Sequence, residues 1–152
     1  MRLEIGLIAA LGLGGSAMAG ARQDATVIMP ENEKVRKIHE DWGFSEAVIA
    51  GDTAYLSGVV VGLRPGETDL ETAYTRAFDQ IGGILKRAGL SWDDVVEITS
   101  YHTDVKAQME AMIAVKHRYI AAPFPAWTAI QIVRLIPDSG ITEIRITAKK
   151  RG

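Results

Sequence analysis

The chain has 152 residues, 47% of them hydrophobic and 24% charged, with a formal net charge of −2 at pH 7 and no cysteine. That is the composition of one ordinary folded domain, able to bury about two-thirds of its unfolded surface without metal or disulfide. The balanced charge argues against a nucleic-acid partner or an anionic membrane, and the missing cysteine excludes thiolate nucleophiles, disulfides and Cys-held zinc or iron–sulfur sites.

Residues 1–19 read as a cleaved export signal. Arg2 precedes the apolar run Ile5 to Leu13, and Ala17 and Ala19 occupy the small-residue positions of a signal-peptidase site. The run is too short to span a bilayer. Glu4 weakens the positive start, so two outcomes stay open: cleavage after Ala19 with export to a periplasm-like compartment, or a retained segment and a cytoplasmic protein. Residues 20–43 form an N-terminal extension with a first strand, in which Pro30-Glu31-Asn32-Glu33-Lys34 reads as an exposed connection or sheet edge. Residues 44–152 form the main domain.

Val48-Ile49-Ala50 and Ala54-Tyr55-Leu56 flank the turn-prone pair Gly51-Asp52, which predicts a hairpin. A loop follows at Gly62 to Gly66. Thr68-Asp69-Leu70-Glu71 has the form of a capping box. It opens a helix whose apolar stripe runs through Leu70, Ala73, Ala77, Ile81, Ile84 and Leu85 to a stop at Gly89. Ser91 to Asp94 is a short turn, Val95 to His102 a strand, and Val105 to Tyr119 a second helix burying Met109, Met112, Ile113 and Val115. Trp127 to Val133 and Ile141 to Ala148 alternate as strands joined through Pro137-Asp138-Ser139-Gly140. The order β-β-α-β-α-β-β is an α+β domain, a mixed sheet with two helices on one face. The other face, carrying Ile130, Ile132, Ile144 and Ile146 or their alternates, would need cover from a second copy.

Phe44-Ser45-Glu46-Ala47-Val48 followed by Gly51 to Gly58, then Ala88 to Val96, Tyr101-His102-Thr103-Asp104, Phe124-Pro125-Ala126, Val133 to Pro137 and Ile141 to Ile144 occur in an order that resembles the reactive intermediate deaminase family, RidA or YjgF. The resemblance implies a chorismate-mutase-like fold and a homotrimer with clefts at its subunit interfaces, whose last two strands make a C-terminal hairpin. It further implies hydrolysis of 2-imino or enamine acids to 2-oxo acids and ammonia without metal or organic cofactor. In the deaminases an arginine clamps the substrate carboxylate and a glutamate handles the attacking water. Glu143 falls on that glutamate and Ser57 on a serine at the cleft edge. Trp127 stands where the clamp belongs and Phe44 where a tyrosine is usual, so the cleft should favour a more apolar small molecule.

Each residue has a plainer alternative. Glu143 could be a strand carboxylate pairing with Arg145, its neighbour on the same face. Arg145 or Arg134 could replace the clamp, and Trp127 could be ordinary packing. The three histidines lack metal-ligand spacing, and His102, beside Tyr101, suits a satisfied polar neighbour better than a catalyst. Some relatives are described as endoribonucleases, but no acid–base pair for that cleavage is visible. Two functions remain: a hydrolase using Glu143, with Trp127, Phe44, Ser57 and Arg145 recognising substrate, or a non-catalytic trimer binding a small apolar or aromatic metabolite.

Overall fold

The computed structural model describes residues 20–151, so the export signal read in residues 1–19 lies outside them. Strand β1 (Thr26–Ile28) leads into helix α1 (Glu33–Trp42), and strands β2 (Ala47–Ala50), β3 (Thr53–Leu56) and β4 (Val59–Gly62) follow. Helix α2 (Leu70–Arg87), a single 3₁₀ turn (Trp92–Asp94), β5 (Val95–His102), α3 (Val105–Tyr119), β6 (Ala126–Gln131) and β7 (Gly140–Lys149) complete the chain. The sheet order is β1-β2-β3-β7-β5-β6, with β4 continuing beside β7 after β3.

The ten-residue β7 organises the sheet. One edge pairs antiparallel with β3 and β4, and the other with β5. Between β3 and β4 the chain breaks register at Ser57-Gly58. β6 pairs in parallel with β5 over Glu97–His102. The expected C-terminal hairpin therefore does not form, because β5 lies between β6 and β7. A parallel partner needs a crossover, and α3 supplies it.

α2 and α3 cover one face of the sheet. Tyr74, Phe78, Ile81 and Leu85 of α2 and Met112 and Val115 of α3 pack with Leu56, Val61, Ile98, Ile144 and Ile146 in one core. Ile144 and Ile146 thus face the helices and not the open side; their odd-numbered neighbours Glu143 and Arg145 occupy that side. Within α3, Met112 and Val115 are buried as expected, but Ile113 is exposed, Met109 is half-buried, and Gln108 and Lys116 take the remaining inward positions.

Local chemistry explains the element ends. Asp69, not Thr68, caps α2, accepting from the Glu71 amide (3.0 Å) and the Thr72 hydroxyl, while Glu71 pairs with Arg118. Glu67 and Arg76 form two parallel bonds (2.6 and 2.7 Å), and Arg76 also donates to the Gly62 carbonyl, tying the loop after β4 to α2. Arg76 holds the Glu67 carboxyl down at about 2. The stretch expected as an exposed connection or sheet edge leads instead into a third helix. Asn32 caps α1 by accepting from the Lys34 and Val35 amides, and Gly43, at φ 75°, closes it: the Gly43 amide donates to Glu40 and the Phe44 amide to His39. No residue of α1 is buried.

Candidate functional site

The open face of β7 carries the site. Glu143 lies between Val60 of β4 and Tyr101 of β5, and Arg145 pairs in register with Thr99. Above them is a cavity of about 870 Å³, bounded by Glu143, Arg145, Tyr101, Ser57, Phe44 and Trp42, with Val60, Ile132, Leu135, Ile136 and Arg134 completing the wall.

The Glu143 carboxylate rests on the break between β3 and β4. A Cβ on Gly58 would lie 1.8 Å from Glu143 Oε1, so only glycine leaves room for it. Ser57 is fixed by donating its hydroxyl proton to the Ser45 carbonyl (2.7 Å), which leaves its oxygen free to accept on the cavity side. Among the described residues, neither Glu143 nor Arg145 makes an ion pair, so the simple pairing of these two does not occur. Arg134 differs: its guanidinium meets Asp138 at 2.8 Å. The site therefore holds a carboxylate and a guanidinium on one wall with their charges uncommitted, under a largely apolar rim.

Four of the five residues singled out in the sequence, Glu143, Arg145, Ser57 and Phe44, share this cavity. Trp127 does not. It sits on the helix-covered face beside Ile98, donates its indole N–H to Ser100 (2.9 Å) and carries the Lys116 ammonium 4.7 Å above its ring. There it joins a closed polar chain. Ser100 meets His102 Nε2 (2.9 Å), His102 Nδ1 meets Gln108 and Thr142 (3.2 Å each), and Thr142 meets the Tyr74 hydroxyl (2.6 Å). Burial pulls His102 below its ordinary value and pushes Tyr74 up to about 12. His102 is thus a packed, hydrogen-bonded neutral group, and its neighbour Tyr101 points the other way, into the cavity.

Trp42 is an aromatic wall residue that sequence reading overlooked. It is the last residue of α1, 65% exposed, and the turn at Gly43 brings Phe44 back to stack on His39 with ring centres 4.0 Å apart. The signal was present as an Asn cap followed by Val35, Ile38 and Trp42 at helical spacing.

Residues 36–150 match the family model described as Endoribonuclease L-PSP. The chain belongs to the RidA/YjgF family. The RutC family protein YjgH of Escherichia coli is 31% identical over 115 residues, spanning 74% of this chain and 86% of that protein. A solved structure of YjgH superposes with a TM-score of 0.70 at 30% identity, covering 84% of this chain and 98% of the other. A goat 2-iminobutanoate/2-iminopropanoate deaminase is 33% identical over 110 residues, 69% of this chain and 78% of the goat protein. These relatives and the observed topology establish the chorismate-mutase-like fold, with α1 as a third helix beside the two expected.

Proposed function

We propose that the protein is a metal-free hydrolase of reactive imino or enamine acids, releasing ammonia. The observation that carries this reading is the uncommitted Glu143 carboxylate seated over Gly58, two residues from the uncommitted Arg145, in an open cavity. Water held by Glu143 attacks the electrophilic carbon of the protonated imine. The carboxylate takes a proton as the C–O bond forms and the C=N pair moves to nitrogen. Glu143 then returns that proton to nitrogen, the C–N bond breaks, and loss of the hydroxyl proton leaves the 2-oxo acid and ammonia. The sequence relation to a deaminase of 2-iminobutanoate supports the chemistry.

Ammonia release from imino acids generated in place by an amino-acid oxidase tests it. Glu143→Gln should lower the rate at least about 100-fold. An inert wild type, or a variant as active as the wild type, overturns the assignment. The second reading, a non-catalytic binder of a small apolar or aromatic metabolite, is favoured by the apolar rim and by the absence of an arginine at position 127; it predicts binding without turnover.

The family resemblance also supports a homotrimer in which a neighbouring copy closes each cavity, and exposed Phe124 and Ile130 beside the free edge of β6 suit such a contact. Sedimentation equilibrium giving a monomer would exclude it. Export is proposed from the sequence of residues 1–19 and is checked by the N-terminal mass of the protein recovered from cells.

A further inference from the structure

Building on the hydrolase reading, we infer that the cavity selects 2-imino acids with an aromatic side chain, with Arg145 holding the carboxylate and Trp42 and Phe44 receiving the ring. Glu143 and Arg145 are two residues apart on one strand face, a separation of about 6.6 Å along the strand. A 2-imino acid has its carboxylate one bond from the electrophilic carbon. With the carboxylate paired to the Arg145 guanidinium, that carbon comes within reach of a water held by Glu143. Arg145 suits the task because its charge is uncommitted, whereas Arg134 already pairs with Asp138.

The remaining substituent then meets the rest of the wall. That wall is apolar and aromatic, formed by Trp42, Phe44, Ile132 and Ile136. A cavity of about 870 Å³ is at the roomy end of small-molecule sites, far larger than a four-carbon imino acid fills. Left alone, Trp42 is exposed to solvent, whereas stacking it on an aryl ring removes apolar surface from water. Position 127 plays no part in this arrangement, which explains how a chain with tryptophan there can still hold a carboxylate.

Calorimetric titration of the full chain with three stable probes separates the contributions: 3-phenylpropanoate, propanoate and the neutral 3-phenylpropan-1-ol. The aryl acid should bind at least about tenfold more tightly than either of the others. Arg145→Met should weaken the aryl acid about tenfold without affecting the alcohol, and Arg145→Lys should recover part of the loss. Trp42→Ala, at an exposed position, should shrink the advantage of the aryl acid over propanoate. Equal binding of propanoate and the aryl acid, no loss in Arg145→Met, or no binding of either acid overturns the inference. Ammonia assays keep the two readings apart. Tight aryl-acid binding without turnover rejects the hydrolase and leaves the site assignment; turnover with no preference for aromatic imino acids does the reverse.

Discussion

The two faces of β5 and β7 are built from alternate residues of the same strands, yet they treat polar groups in opposite ways. On the helix side Ser100, His102 and Thr142 are fully buried and join Gln108, Tyr74 and Trp127 in one continuous set of hydrogen bonds. On the open side Tyr101, Glu143 and Arg145 border a cavity, and both charges stand without an ion-pair partner among the described residues. Burial explains the contrast. A polar group removed from water costs free energy unless paired, so the covered face must be self-satisfied. A charge that water can reach is free to wait for a ligand. The sheet thus keeps a self-satisfied buried polar set on one side and an open, charged cavity on the other, one residue apart.

Substitutions on adjacent residues can break that division. Ile144→Ala, on the covered side, should lower the unfolding free energy by about 3 kcal/mol in urea titration, through lost burial and a residual cavity. Thr142→Val preserves shape but strips partners from Tyr74, His102 and Gln108, and should cost about 2 kcal/mol by the same measurement. On the open side Glu143→Gln should change stability by less than about 0.5 kcal/mol while, on the hydrolase reading, lowering ammonia release at least about 100-fold. A large loss of stability in Glu143→Gln would show that the two faces are not separable.

The pH profile sharpens the same contrast. Burial lowers the folded pKa of His102 below its ordinary 6.5, so its contribution is present above that value and is lost as pH falls from 6.5 through the depressed folded pKa. Tyr74 is raised from 10 to about 12, so its contribution is present below pH 10 and lost as pH rises through 12. The urea midpoint should therefore fall off on both sides of a plateau between about pH 6.5 and 10. His102→Gln should flatten the acid limb relative to the wild type, and an unchanged acid slope would remove His102 as its cause.

Local signals carried much of the architecture. β5 and α3 occupy the residues expected from β-branched content and helical spacing, and Gly51-Asp52 makes the expected two-residue turn. What stayed open or failed was non-local. Whether Ile144 or Glu143 faces the helices depends on which side α2 and α3 cover, and alternation alone is symmetric on that point. The pairing of β6 with β5 instead of β7 likewise depends on chain that runs through a helix. α1 escaped notice because its three apolar residues are thinly spread among charges and bury nothing within one protomer. Of the site, the position of Glu143 was readable from its sequence context. The cavity was not, since Trp42, Tyr101 and Glu143 come from three elements and Ser57 from the break between β3 and β4, brought together only by the fold.

Because Glu143 and Ile144 are adjacent on β7, the direction of the carboxylate is tied to the burial of its neighbour. A one-residue slip of β7 would turn Glu143 under α2 and Ile144 into the cavity, losing the core and the site in one step. Such a chain would lose its stability together with the carboxylate of its cavity. The strand's alternation therefore couples the placing of the carboxylate to the folding of the core.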